Sequence, residues 1–302
     1  MSTINKVLLP LPSIQKLIEN GQPQFGMFAK VEQINYLDYY SPLISQKPLS
    51  NWRKDLKANQ FCFIQIIQPP HRVCLALATI KLATSAFVYL YNEDTQQLEV
   101  AEALQPLARN ASFVGDHYQG QMSFSHAKLT LTLNFEPTQL NIELDSQYLK
   151  LTASLARQPQ PLAICTPTGR RGWTFTQKEP LTDITGKLVI KASSKMSADN
   201  CERQIAFTEK TRANLDWTLG YMRHETNWFW TCINNYLADG RHFLLNLSMG
   251  VNETGTSENA CWLDGSIFYL PPVLFTRNDL QSSSEQTWSI RHQNFVWSTV
   301  AI

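Results

Sequence analysis

The feature that most constrains the fold is a series of short strand-like segments separated by turn residues. The segment Leu129–Phe135 is the clearest, because leucine and phenylalanine alternate there with threonine and asparagine. Strict alternation is typical of a β-strand with one buried face, and the three-to-four spacing of an amphipathic helix is missing from these segments. The pattern therefore predicts an all-β fold, either an antiparallel sandwich or a barrel.

The length of the chain favours two domains. A chain of 302 residues lies above the size at which one hydrophobic core is usual, and about 150 residues per domain is the ordinary expectation. The segment ARQPQP at residues 156–161 interrupts the strand pattern and is the best candidate for a linker. We therefore predict a short N-terminal arm at residues 1–49, a first β domain at 50–160 and a second at 161–302.

Composition argues against several classes of partner. Hydrophobic residues make up 43% of the chain and charged residues 17%, and the formal net charge is +1. Neither nucleic acid nor an anionic membrane surface is an expected partner for such a chain. No stretch approaches the roughly 20 apolar residues that span a bilayer. We expect no integral membrane segment, and the oligomeric state stays open.

The residue patterns of familiar cofactor and metal chemistry are missing. The sequence contains no GxSxG elbow, no GxxxxGK[ST] phosphate loop and no GxGxxG after a strand. Its six histidines form neither HxH nor HExxH, so we expect no metal site and no cofactor. Its six cysteines form no CxxC pair, and the N-terminal residues do not resemble a signal peptide. These features predict a cytoplasmic location.

The stretch from Leu215 to Tyr269 is the candidate functional region. It contains four of the eight tryptophans, among many asparagines and acidic residues. The dipeptide Asp239-Gly240 between two apolar runs predicts a two-residue hairpin turn, which pairs Trp230 with Met249. In that register the side chain of Trp230 lies on the face opposite Asn246. Later in the same stretch, Asp-Gly at residues 264–265 predicts a second hairpin.

This region also resembles the signature of a bacterial family known only as domain of unknown function 2804. The resemblance rests on LDWTLG from Leu215, NETGTSENACWLDG from Asn252, AFVYLY from Ala86 and TQK from Thr176. It extends over most of the chain from about Gly26. That family is similar to the two-domain lipocalin-like (calycin) group, which includes carotenoid hydratases and lipocalin-fold Diels-Alderases. The resemblance implies two consecutive lipocalin-like antiparallel β-barrel or sandwich domains and a lipophilic ligand in a barrel cavity, but no particular reaction.

Glu258 is the candidate catalytic residue. It shares a strand face with Trp262, and a carboxyl group beside an indole in a dry site has the raised pKa of a general acid. The alternative interpretation is that Glu258 and Asp264 cap turns at a hydrated rim. The candidate ligand-binding residues around Glu258 are Asp216, Arg223, Trp228, Trp230, Asn246, Asn252, Glu253, Asn259, Trp262 and Asp264.

These residues predict a protein that binds a lipophilic small molecule and performs acid–base chemistry on it, such as hydration, isomerisation or cyclisation. Two alternatives stay open. One is a non-catalytic carrier of a lipid or hydrophobic metabolite, for which ligand retention is unaffected by Glu258→Gln. The other is a carbohydrate-binding β-sandwich, which presents coplanar exposed aromatic rings on one face.

Overall fold

The computed structural model describes residues 10–40, 49–169, 172–223, 225–250, 255–278, 287–292 and 295–300. Within these residues the chain consists almost entirely of β-strands, with one short α-helix and two 3-10 turns. The prediction of an all-β fold is confirmed.

The N-terminal region forms five short strands that contribute to the core. They are β1 (Ser13–Lys16), β2 (Ile18–Glu19), β3 (Gln22–Pro23), β4 (Gly26–Phe28) and β5 (Lys30–Gln33). A 3-10 turn at Tyr36–Asp38 and helix α1 (Asn51–Asp55) follow. Leu17 and Val31 are fully buried in the main hydrophobic cluster, so this region packs against the rest of the molecule.

A large antiparallel sheet dominates the middle of the chain. Its strands are β6 (Asn59–Gln68), β7 (His71–Thr79), β8 (Ala83–Asn92), β9 (Gln97–Pro106), β10 (Ala111–Ser112), β11 (Gly120–His126), β12 (Leu129–Phe135), β13 (Gln139–Ser146), β14 (Leu149–Arg157), β15 (Leu162–Thr168), β16 (Gly172–Ile190), β17 (Arg203–Ala206) and β18 (Arg212–Gly220), together with β4. The order across the sheet is β10-β11-β12-β13-β14-β16-β18-β6-β7-β8-β9, with β15 and β17 paired to β16 and β4 paired to β15. A second 3-10 turn, at Ala198–Asn200, precedes β17.

The large sheet curls around the main hydrophobic core. Along β12 the residues are alternately buried and more exposed, as the sequence predicts. Buried residues from strands far apart in the sheet order, such as Ala101 of β9 and Leu131 of β12, belong to one hydrophobic cluster. We call the side of the sheet that faces this cluster the inner face and the opposite side the outer face.

Two smaller sheets follow in the chain. The first contains β19 (Phe229–Tyr236), β20 (His242–Met249), β21 (Ala260–Leu263) and β22 (Ser266–Tyr269), and the second contains β23 (Leu274–Asn278), β24 (Thr287–His292) and β25 (Phe295–Val300). The four-stranded sheet covers part of the outer face. Trp230 of β19 packs edge-on against Phe63 of β6, with ring centroids 5.6 Å apart. The indole of Trp262 donates to the carbonyl of Gln160, in the connection between β14 and β15, at 2.9 Å.

The predicted domain boundary at residue 160 lies in that short connection. Strands from both sides of it pair in the large sheet, since β14 and β18 both flank β16. The division into residues 1–49, 50–160 and 161–302 stays a prediction.

The predicted register of the first hairpin is wrong by one residue. The backbone N–H of Leu237 donates to the carbonyl of Arg241 at 2.8 Å, which leaves a loop of three residues, 238–240, instead of two. Gly240 closes this loop with φ +88°, as in a type I turn followed by a left-handed residue. The extra loop residue shifts the pairing of β19 and β20 by one position, and such a shift turns the side chains of a strand to the opposite face. Trp230 therefore pairs with Ser248 and lies on the same face as Asn246.

The second hairpin is as predicted. Leu263 pairs with Ser266, and the two-residue loop between them has φ +47° at Asp264 and +80° at Gly265. Two positive φ values are the conformation of a type I′ turn, for which Asp-Gly is a preferred sequence.

Candidate functional site

The centre of the candidate site is the buried ammonium group of Lys178. Its Nζ lies 2.6 Å from Asp216 Oδ2 and 3.1 Å from Glu258 Oε2. The side chains of Lys178 and Glu258 are 7% and 5% exposed, and that of Asp216 is 16% exposed. Buried charges are costly unless they are paired, so each of these groups depends on the others. We call the three residues the Lys178 network.

The strand order of the large sheet creates this network. Because β16 and β18 are antiparallel neighbours, Lys178 lies directly opposite Asp216. Both side chains point to the outer face, whereas the adjacent Glu179 points to the inner face and pairs with Arg157. Glu258 precedes β21 in the four-stranded sheet, so the third member arrives only when that sheet packs over the outer face.

The network holds Lys178 in its charged form. Burial on its own lowers the pKa of a lysine, but the carboxylates of Asp216 and Glu258 outweigh that effect and raise the pKa of Lys178 above its ordinary value. The ammonium also lies 6.0 Å from the ring centroid of Trp230, within reach of a cation–π contact. The site therefore presents a fixed positive charge between two carboxyl groups.

Asn246 is bonded to the backbone of Glu258. Its Nδ2 donates to the Glu258 carbonyl at 2.6 Å, and its Oδ1 accepts from the Trp230 indole at 2.8 Å. The prediction that Trp230 and Asn246 lie on opposite faces is therefore wrong, because the hairpin loop contains three residues instead of two. Trp230 and Asn246 are both part of the candidate site, and the amide positions the segment that carries Glu258.

Asn259 has a similar positioning role. Its Oδ1 accepts from the backbone N–H of Ser248 at 2.7 Å, and its Nδ2 donates to the carbonyl of Pro271 at 3.0 Å. The side chain is completely buried. Both of its polar atoms are thus used to hold neighbouring backbone segments around the site.

A second polar chain crosses between the two sheets. Asn234 donates from Nδ2 to Asn214 Oδ1 at 3.2 Å, and its Oδ1 lies 2.7 Å from His242 Nε2. An amide oxygen is an acceptor only, so His242 donates from Nε2. Burial, followed by the charge of Arg212, lowers the pKa of His242 and favours the neutral ring.

A cleft of about 240 Å³ opens beside Glu258. This volume is below the usual 300–1,000 Å³ of pockets for drug-sized ligands. The cleft therefore fits a small molecule or one end of a longer one. Its lining combines apolar side chains with hydroxyl groups and glycines, and consists of Ser248, Met249, Gly250, Gly255, Thr256, Ser257, Glu258, Pro272 and Val273.

Four other predicted site residues lie away from the Lys178 network. Arg223 is exposed and donates to the carbonyl of Gly250 at 2.6 Å, at the edge of the cleft. Trp228 is 57% exposed, whereas Trp262 is buried in a packing cluster between the sheets. Asp264 lies in the β21–β22 turn and accepts from the backbone N–H of His242 at 2.9 Å. Asn252 and Glu253 lie outside the described residues.

No role for Lys178 is predicted from the sequence, although Lys178 lies at the centre of the network. It belongs to the TQK motif on which the family resemblance rests, and that motif is the one feature that points to it. A lone lysine in a strand is ordinarily exposed to solvent. Only the pairing with Asp216 and the covering sheet make it a buried charge.

The described part of the chain contains neither a cluster of potential metal ligands nor a membrane-spanning helix. No group of three or more His, Cys, Asp and Glu side chains is placed there to hold a metal ion. No helix within those residues is both long and apolar enough to cross a bilayer.

Comparison with known proteins places the chain in a family. No curated protein matches it. Among solved structures, a kievitone hydratase from Nectria haematococca is similar over 80% of this chain and 74% of that chain, with a TM-score of 0.47 and 11% sequence identity, a likeness too distant to indicate an activity. The family model for domain of unknown function 2804 matches residues 33–297. Since this match covers most of the sequence, the chain belongs to the family of domain of unknown function 2804.

Proposed function

We propose that this protein binds a lipophilic small molecule in the cleft beside Glu258 and that the Lys178 network performs acid–base chemistry on it. The proposal rests on one observation about Glu258. This residue belongs to the buried Lys178 network and also lines the cleft. A carboxyl group with a fixed charged partner, at the wall of a small cleft, is a recurring arrangement of catalytic acids and bases.

The cleft suits a ligand that is mostly apolar. Met249, Pro272 and Val273 supply apolar surface, and Ser248 and Ser257 supply hydroxyl groups beside Glu258. Mostly apolar walls with a few polar groups are typical of small-molecule sites.

Within the network the three residues have different roles. Glu258 Oε2 forms an ion pair with the Lys178 ammonium at 3.1 Å, and we assign Glu258 the role of a general base, in place of the general acid predicted from its strand neighbour Trp262. The indole of Trp262 is engaged elsewhere, with Gln160. In an isomerisation, Glu258 takes a proton from carbon and returns it at another carbon. In a hydration, it takes a proton from the water as the oxygen bonds to one alkene carbon, and it then delivers that proton to the other alkene carbon. Asp216 keeps Lys178 in place.

A non-catalytic carrier is the second candidate. The observation that favours it is the mutual pairing of Lys178, Asp216 and Glu258, which satisfies buried charges without any reaction. A carrier needs a stable, closed wall, and such a network supplies one.

Mass spectrometry of small molecules that co-purify with the protein tests the proposal and identifies the ligand. Incubation of that ligand with the protein then shows whether a product forms. Glu258→Gln keeps the shape of the side chain, and we expect it to retain ligand while turnover falls by about 10²–10⁴-fold, the usual contribution of a general base. Glu143→Gln, at an exposed position of β13, is the matched control and leaves turnover unchanged.

The outcomes separate the two candidates. Ligand retention by both proteins without any product supports the carrier. Full turnover by Glu258→Gln excludes the proposed catalytic role. If the unmodified protein retains no lipophilic molecule and binds none when one is added, the proposed function is wrong in both forms.

A further inference from the structure

Several buried polar atoms on the inner face of the large sheet have no hydrogen-bond partner among the described residues. Among them are both ring nitrogens of His117, the indole Nε1 of Trp217 and the amide Oε1 of Gln177. The side chains that carry them are fully or almost fully buried, with His117 at 1% exposure and the other two at 0%. Unpaired buried polar groups are rare in native proteins and indicate a missing partner.

The three side chains lie together. Gln177 of β16 is directly opposite Trp217 of β18, so the two share the inner face. The ring of His117 lies 5.6 Å from the ring of Trp217 and 5.3 Å from that of Phe175, measured between centroids. The unpartnered atoms therefore belong to one polar spot on the inner face, beside the buried pair of Arg157 and Glu179.

The position of His117 is fixed by its backbone. It lies in the loop between β10 and β11, and Arg157 donates from Nη1 to the His117 carbonyl at 2.6 Å. The N–H of the next residue, Tyr118, donates to Asp116 Oδ1 at 2.8 Å. The ring is thus held against Trp217 without any hydrogen bond of its own.

The charges near this spot are balanced. Arg157 Nε donates to Glu179 Oε1 at 3.1 Å, and the two side chains are 2% and 1% exposed. Gln177 Nε2 also donates to Glu179 Oε1 at 3.1 Å, so Oε1 is the polar atom of the Gln177 side chain that lacks a hydrogen-bond partner. A charged occupant would upset this buried pair, whereas a neutral group would not.

The donor and acceptor types define the missing group. Trp217 Nε1–H is a donor only, Gln177 Oε1 is an acceptor only, and a neutral imidazole offers one donor and one acceptor. The group that satisfies such a set both accepts and donates through one small atom. We propose that the inner face of the large sheet binds a neutral hydroxyl group, which accepts from Trp217 and donates to Gln177 or His117. The hydroxyl belongs either to a lipophilic alcohol, suited to the apolar surroundings, or to an ordered water.

This site is separate from the cleft beside Glu258. Gln177 and Lys178 are neighbours in β16, and their side chains leave the sheet on opposite sides. The proposal therefore stands independently of the acid–base function.

A pair of matched tryptophan variants tests it. Trp217→Phe removes the donor at the proposed site. Trp173→Phe makes the same change at a second fully buried indole on the inner face, in β16. Its Nε1 also lacks a partner, and its ring packs against Tyr39 and Tyr221. Thermal unfolding of both variants and of the unmodified protein is measured with 1-octanol and with 1-methoxyoctane, its methyl ether, which lacks the donor.

If the hydroxyl belongs to a lipophilic alcohol, 1-octanol raises the Tm of the unmodified protein and of Trp173→Phe. The ether has a weaker effect, and Trp217→Phe binds 1-octanol about tenfold more weakly, as expected for one lost hydrogen bond. If the hydroxyl is an ordered water, 1-octanol has no effect, but Trp217→Phe melts below Trp173→Phe because it leaves that water without its donor.

A crystal structure of the unmodified protein provides the second measurement, which does not depend on how the variants fold. Density for a hydroxyl oxygen within hydrogen-bond distance of Trp217 Nε1 and Gln177 Oε1 supports the proposal, and the size of the density distinguishes alcohol from water. An empty position there overturns it. So does a Trp217→Phe protein that melts at or above Trp173→Phe without any response to 1-octanol, because removal of a truly unpartnered donor costs nothing.

Discussion

The ring of His117 is a single side chain whose protonation state the fold controls. It is surrounded by the rings of Tyr118, Phe175 and Trp217. Burial, followed by the positive charges of Arg157 and Lys30, lowers the pKa of His117 well below its ordinary value. The folded protein therefore keeps this ring neutral, whereas the unfolded chain lets it bind a proton.

This difference predicts a loss of stability in mild acid. The pKa of His117 is lower in the folded than in the unfolded chain, so the unfolded state binds more protons below the ordinary value of 6.5. Its contribution to stability is complete above that pH and is lost as the pH falls, by about 1.4 kcal/mol per pH unit. We expect His117→Phe to lose less stability than the unmodified protein between pH 7.5 and 5.5, measured by urea unfolding.

His126→Phe is the control for this experiment, because His126 is only partly buried. It should keep the acid sensitivity of the unmodified protein. Equal sensitivity in His117→Phe and the unmodified protein would contradict the prediction.

At the scale of elements, strand β16 organises the molecule. It runs through 19 residues and pairs with β14, β15, β17 and β18. At Gly186 φ is +124°, and an added Cβ atom would lie 2.1 Å from the carbonyl oxygen of Thr152 in β14. Residues 185–190 of β16 pair with β14, whereas the first half of the strand pairs with β15 and β18 and carries Lys178 on its outer face.

Two glycines with positive φ allow a comparison of strain with steric overlap. At Gly240, φ is +88° and an added Cβ meets nothing within 4 Å, so Gly240→Ala should cost about 1–2 kcal/mol from backbone strain alone. At Gly186 the same change adds a backbone clash, and we expect a cost of roughly 3 kcal/mol or more. Guanidinium unfolding measures both.

Gly240→Asn should cost less than Gly240→Ala, since asparagine tolerates the left-handed region. Similar losses at Gly186 and Gly240 would argue against the close approach of β14 and β16.

At the scale of the whole molecule, the packing of the four-stranded sheet on the large sheet is decisive. Trp262 is fully buried between them, in contact with a cluster that includes Leu162 of β15 and Leu244 of β20. The Lys178 network and the chain from Asn214 to His242 cross the same contact. The candidate site therefore exists only while the two sheets stay together.

The tryptophans of this region should differ sharply in their importance. We expect Trp262→Ala to lower the free energy of unfolding by about 3–5 kcal/mol, as for other buried large-to-small changes. Trp228→Ala, at a side chain that is 57% exposed, should stay within about 0.5 kcal/mol. Guanidinium unfolding followed by far-UV circular dichroism tests both. A small loss for Trp262→Ala would mean that the sheets are not packed as described.

The sequence by itself determined the all-β fold and the β21–β22 turn. These features depend on local chemistry. Alternation of apolar and polar residues sets strand geometry, and Asp-Gly favours a type I′ turn. Glu258, Asn246 and Asn259 are all buried at one place, as expected from their setting among apolar strand residues.

Only the tertiary structure decided the register of the first hairpin and the partner of Glu258. A two-residue and a three-residue loop both suit the same dipeptide, yet the difference moves Trp230 to the other face of its sheet. Lys178 meets Asp216 through strand pairing, and it meets Glu258 through the packing of one sheet on another. Residues far apart in the chain come together according to strand order and sheet packing, and these are properties of the whole core that no local pattern encodes.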